Sequence, residues 1–163
     1  MLDNKYYYII KDIIENKEFN KIETEKHHGN TRMVHSKRVS YYSYKICKIL
    51  GFDYISAARA GLLHDFFLYE ENITKKEKFK MLFKHPKQAV KNSEQYFILT
   101  EKEKNIIASH MFPINTNLPK YIESWIITLV DKIVATYEFA ESFSIKNSYK
   151  PNPYLTVLIN IFN

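Results

Sequence analysis

Three glycines in 163 residues, Gly29, Gly51 and Gly61, set the tightest limit on what this chain can build. Dinucleotide-binding turns and phosphate-cradling loops need several glycines at fixed spacing, so GxGxxG and GxxxxGK[ST] are both excluded. The many tight turns of a β-sandwich draw on glycine as well. Helices joined by short connections remain, and apolar residues do recur at helical spacing along most of the chain.

The first amphipathic segment spans 5–16, with Tyr6, Ile9, Ile10, Ile13 and Ile14 on one face. Residues 17–31 are polar, end in His27-His28-Gly29-Asn30-Thr31, and read as a loop. A helix is expected over 33–50, its apolar face traced by Val34, Val39, Tyr42, Ile46, Ile49 and Leu50, with Gly51 as its stop. Asp53 is a natural N-cap for a helix over 54–66, where small residues from Ala57 to Gly61 permit close packing. Helical pattern resumes at 75–83 and at 87–97, the latter opened by Pro86. Thr100 and Glu103 have capping-box spacing and start a helix that ends at Ser109 or His110. Pro113 and Pro119 make 111–119 a loop. The run 121–143 reads as a helix that buries Trp125, Ile126, Leu129, Val130 and Ile133, and Pro151 and Pro153 precede a short apolar helix over 154–162. No repeat or linker divides the chain, so the expectation is one all-α domain over 1–163, a bundle of about seven helices.

Composition narrows the function. Hydrophobic residues at 45% and charged residues at 26% suit a globular domain, and this length can bury a core without disulfides. The single cysteine, Cys47, can form neither an internal disulfide nor a thiolate zinc cage, and reads as a small buried hydrophobe. No apolar run reaches the ~18 residues of a membrane span, and the N-terminus lacks signal-peptide features, so a cytoplasmic protein without membrane association is expected. The excess of 24 Lys and Arg over 18 Asp and Glu gives +6, spread along the sequence. That balance suits a phosphorylated small molecule or nucleotide; no basic helix, stacking motif or zinc finger points to nucleic acid. Tyr6, Tyr7 and Tyr8, or the tail 154–162, could form a homodimer surface or finish the core.

The histidines carry the chemistry. His35, His64, His85 and His110 each sit at or near a helix end in apolar surroundings, and His64 is followed at once by Asp65. Asp131 interrupts the most hydrophobic helix, where burying an unpaired carboxylate would cost several kcal/mol. It needs a metal cation or an arginine or lysine as partner. Histidines and carboxylates on separate helices suit a bundle whose interior gathers ligands.

Thr31-Arg32-Met-Val-His35, Ala-Gly-Leu-Leu-His64-Asp65 and Leu-Val-Asp131-Lys132 resemble the three metal-binding segments of the HD-domain superfamily, all-helical metal-dependent phosphohydrolases. The resemblance covers about 27–140. Lys84-His85-Pro86 and Ser109-His110 fall where the two-metal branch carries two further histidines. It implies that His35, His64, Asp65 and Asp131 hold one metal, and that His85, His110 and a bridging Asp65 hold the second. Nitrogen and carboxylate ligands suit Fe, Mn, Co, Ni or Zn. The implied reaction is attack of a metal-activated hydroxide on a nucleotide-type phosphoester or phosphoanhydride, with Asp65, Lys132 and Arg32 as catalytic residues. Arg32, Lys132, His28 and Lys87 are the expected substrate-binding residues, with Arg38 a further cation near His35 and His27 beside His28 in the loop.

Within the superfamily, a hydrolase of symmetric dinucleoside tetraphosphates has a similar ligand order. The cyclic-dinucleotide subgroup carries Ile-Gly-Lys after its His-Asp pair, whereas Phe66, Phe67, Leu68 and Tyr69 stand here, to pack beneath the site or wall a base pocket. The same six ligands also occur in mixed-valence di-iron oxygenases, and some HD modules only sense ligands. Those two are the alternative readings.

Overall fold

The structure, a computed structural model, describes residues 3–27, 30–68 and 74–147. Among them lie seven α-helices: α1 (Asn4–Ile14), α2 (Lys17–Asn20), α3 (Arg32–Leu50), α4 (Tyr54–Leu63), α5 (Lys75–Tyr96), α6 (Glu101–Ser109) and α7 (Ile122–Asn147). The one extended element among these residues is a two-residue ribbon, β1 (Lys26–His27) with β2 (Asn30–Thr31), and the chain is all-α. No helix of the described residues is long and apolar enough to cross a membrane.

The centre of the bundle is α3 on α4, with α7 against α3 and α6 against α4. α3 meets α4 through small side chains rather than a broad aliphatic face. A Cβ added to Gly61 would stand 3.0 Å from the Ser40 Cα, so glycine there lets two backbones approach. The buried Ser40 hydroxyl finds partners on both sides: it donates to the Ala58 carbonyl at 2.6 Å and accepts from Tyr6 at 2.8 Å. This corrects the apolar face expected for the helix. Ser36, Ser40 and Ser43 are buried beside Met33, Val39 and Cys47, while Val34, Ile49 and Leu50 are exposed. Close helix contact selects size over hydrophobicity.

Local signals hold at several ends. Gly51 closes α3 with φ +74°, a conformation that L side chains rarely adopt, and Asp53 caps α4 by accepting from the Ser56 amide. Thr100 and Glu103 form a full capping box for α6. Part of the stretch expected as loop folds instead into α2 and a 3-10 turn (Lys21–Thr24), which sink Phe19 and Ile22 into the core. The two helices expected around Pro86 are one, α5, opened by a Thr74/Glu77 capping box. Pro86 forfeits one backbone hydrogen bond, and the buried side of α5, with His85, Pro86, Ala89 and Ser93, carries the helix through it.

α7 departs most from expectation. Val130 is buried and Ile126 partly so, but Trp125, Leu129 and Ile133 face outward. Ile127, Val130, Asp131, Val134 and Glu138 form the inward face instead. Apolar residues all round the helix hide which side faces the core. Tyr6 belongs to the core and Tyr8 is exposed; the expected helix over 154–162, His28 and Tyr69 lie outside the described residues.

Candidate metal centre

Four histidine rings converge from four places. His35 lies in the first turn of α3, His64 caps the C-terminus of α4, His85 sits mid-way along α5, and His110 caps α6. Two carboxylates join them, Asp65 from the turn after α4 and Asp131 from the inner face of α7. All six residues are buried or nearly so.

Two triads bring their ligand atoms within 4.8 Å of one another, His35/His64/Asp131 and His64/Asp65/His110, and His85 joins the second through Asp65 and His110. In the first, Asp131 Oδ1 lies 3.0 Å from His35 Nε2 and 3.5 Å from His64 Nε2, with Asp65 Oδ2 3.9 Å from the same His64 atom. In the second, Asp65 Oδ1 lies 3.3 Å from His85 Nε2 and 3.6 Å from His110 Nε2. The two carboxylate oxygens of Asp65 thus face different histidines.

The hydrogen bonds fix which nitrogen of each ring points inward. His64, His85 and His110 donate from Nδ1 to the carbonyls of Gly61, Met81 and Ile107, each at 2.8 Å. A carbonyl oxygen only accepts, so Nδ1 carries the proton and Nε2 presents its lone pair to the centre when the ring is neutral. His110 is neutral: burial, with His64 and His85 close by, pushes its pKa down to about 3. His85 and His110 then face each other Nε2 to Nε2 at 2.9 Å, an arrangement that repels unless a cation or proton lies between. The buried His64 Nε2 has no hydrogen-bond partner. These are donor atoms arranged for metal, and the residues fit divalent transition ions with nitrogen and oxygen preference.

The first cluster has a different electrostatic character. His35 Nδ1 donates to Glu138 Oε2 at 2.8 Å. Burial opposes charge on His35, but Asp131 and Glu138 outweigh it and push the pKa up to about 10 in the metal-free protein. Burial works against ionised Asp131 too, yet the hydrogen bond with His35 and the nearness of His64 hold it well below the ordinary aspartate value.

A cleft of about 240 Å³ opens onto this centre, lined by Phe67, Met81, Leu82, Met111, Ile114 and Ala135 beside the polar residues Asp65, His85, His110, Asp131 and Lys132. Lys132 donates to the His110 carbonyl at 3.0 Å and to Thr128 at 3.3 Å, which ties it to the rim. Partial burial pushes its pKa down, against the pull of Asp131.

Arg32 lies elsewhere: fully buried, its guanidinium rests 3.8 Å over the Phe67 ring and donates to the Phe67 carbonyl, with Glu25 4.0 Å away. It braces the turn that carries His64 and Asp65. Phe66 packs into the core on Phe19, whereas Phe67 walls the cleft against His85. Lys87 is exposed on α5 and is not among the residues lining the cleft. Arg38 pairs with Glu138 and Glu141.

Glu138 escaped sequence reading. Its only signal is spacing: seven residues after Asp131, two turns along the same face of one helix. The HD-domain family model matches residues 32–136, from the start of α3 through the middle of α7. No curated protein and no solved structure matches the chain significantly.

Proposed function

The chain belongs to the HD-domain family, and on that premise we propose that it is a metal-dependent phosphohydrolase acting on a nucleotide-type phosphoester or phosphoanhydride. The observation that carries this reading is the convergence of four histidines and two carboxylates, with the two oxygens of Asp65 facing His64 on one side and His85 and His110 on the other. His35, His64, Asp65 and Asp131 would hold one divalent transition ion, and Asp65, His85 and His110 a second. Such ions polarise a phosphoryl oxygen and bring the pKa of bound water to about 7.

The protein's own groups do the rest. Four Nδ1 hydrogen bonds preset the rings, so little reorganisation accompanies metal binding. Lys132 has three N–H donors, and two are spent on backbone carbonyls, which leaves one for a substrate oxygen at the cleft. The apolar walls exclude water and suit a flat base or another apolar group beside the phosphate.

The test pairs elemental analysis of the purified protein with phosphate release from a nucleotide panel under Mn, Fe or Co. Two metal equivalents, with turnover reduced about a thousandfold or more in Asp65→Asn, are expected. Two bound irons with oxygen-dependent turnover and no hydrolysis would replace hydrolase with oxygenase. No metal after reconstitution would sink both readings.

A further inference from the structure

We infer that Glu138 is a positioning residue for His35, and that through it the His35/His64/Asp131 cluster binds its metal more tightly than the Asp65/His85/His110 cluster and fills first. This rests on the metal-centre reading above and adds an order and a cause to it.

The two clusters differ in what stands behind their histidines. His64, His85 and His110 each lean on a neutral backbone carbonyl of their own helix. His35 alone of the four leans on a carboxylate, brought from 103 residues away in the sequence. Glu138 is fully buried and both its oxygens are engaged: Oε2 accepts from His35 at 2.8 Å, and Oε1 accepts from Arg38 at 2.9 Å. Arg38 is itself held by Glu141 at 3.6 Å. The carboxylate therefore cannot swing away, and the His35 ring is locked with Nε2 toward Asp131.

A carboxylate behind an imidazole strengthens the lone pair on the far nitrogen, and outer partners of this kind are worth roughly 10–100-fold in metal affinity. The first cluster also has Asp131 to itself and draws on Asp65, whereas the second has Asp65 alone as an anion. Both differences favour the first cluster for a dication.

The metal-free full chain is titrated with Co(II), followed by calorimetry and by visible absorption of the bound ion. The wild type is expected to bind in two steps, the tighter first. His85→Ala should lose the weaker step only. Glu138→Gln keeps an accepting oxygen but loses the charge, and should weaken the tight step about tenfold; Glu138→Ala should weaken it about a hundredfold. Arg38→Gln, at a partly exposed side chain, should weaken the same step by a smaller factor. In all three the weaker step keeps its affinity. Should Glu138→Ala fail to fold, Glu138→Gln and Arg38→Gln decide. An unchanged tight step in the Glu138 variants, or loss of the tight step in His85→Ala, would overturn the inference while leaving the metal centre intact. A wild type that binds no cobalt would overturn both.

Discussion

The two ligand clusters stand on different ground. The His35/His64/Asp131 cluster grows from α3, α4 and α7, whose seam includes the 3.0 Å approach of Gly61 to Ser40. There His35 is already paired with Asp131 and Glu138 without any ion. The His85 and His110 side hangs on α5 and α6, and α5 keeps Leu82 and Phe83 exposed. There two imidazole nitrogens confront each other. His35 is paired at rest on both nitrogens, whereas the inward nitrogens of His64, His85 and His110 are organised for something that must arrive.

The largest effect that could break this contrast is thermodynamic. In metal-free protein, His35→Ala strips one partner from each of two buried carboxylates, Asp131 and Glu138, and is expected to cost about 3–5 kcal/mol. His85→Ala removes one of two opposed nitrogens at an open cleft and should cost less than about 1 kcal/mol. Urea denaturation of both variants measures the difference. Equal losses would show that the two clusters are built alike.

Next comes Arg32, which sits beneath the turn shared by both halves. Arg32→Met keeps apolar bulk but loses the hydrogen bond to the Phe67 carbonyl and the stacking on its ring, an expected loss of about 2 kcal/mol. The melting temperature should fall by about 4–8 °C, with KM for a phosphorylated substrate nearly unchanged. A raised KM at unchanged stability would instead put Arg32 against the substrate, as its place beside His35 in the sequence suggested.

That example shows what the chain reveals on paper. His35, His64-Asp65, His85, His110 and Asp131 stood out because each is a polar residue in an apolar setting, and the structure brings all six together. Arg32 reads as a substrate cation from its place one turn before His35, but sequence cannot tell a cation facing a cleft from one lying under it. Glu138 was hidden in a stretch that carries other charges, where nothing marks one glutamate as buried. The faces of α3 and α7 misled for opposite reasons. Buried serines on α3 look like surface, and the exposed Trp125, Leu129 and Ile133 on α7 look like core. Helix ends were more legible than faces, since caps at Gly51, Asp53 and Thr100 are local chemistry.

Gly61→Ala tests the tight half alone. The added methyl meets α3 backbone rather than a flexible side chain, and overpacking costs about 1–3 kcal/mol. Alanine regains up to about 1 kcal/mol of helix propensity. A net loss near 1 kcal/mol is expected, seen as a fall of about 2–4 °C in melting temperature. A stabilised variant would mean that α3 and α4 can part at little cost, and the contrast between the halves would shrink.

The smallest effects concern the caps, and pH separates them. Asp53 and Glu77 start α4 and α5, and both titrate below their ordinary values. Burial opposes the ionised form of Asp53, but the Ser56 amide and Lys102 more than compensate. Glu77 is held by the Thr74 hydroxyl and amide. Because each folded-state pKa is depressed, each contribution is fully present above the unfolded value, about 3.9 for Asp and 4.3 for Glu. Each is then lost as pH falls through the folded one. Asp53 is tied to distant chain, since Lys102 bonds it at 3.1 Å and its own amide donates to Glu123 at 2.9 Å. Among the described residues, Glu77 hydrogen-bonds within its own cap. Asp53→Asn keeps the cap but loses the ion pair, so it should lower global stability at pH 7 by less than about 1 kcal/mol and flatten its decline below pH 4. Glu77→Gln should leave the melting temperature in place and speed amide exchange in the first turns of α5 alone. A global response to Glu77→Gln would show that α5 is as firmly joined to the core as α4.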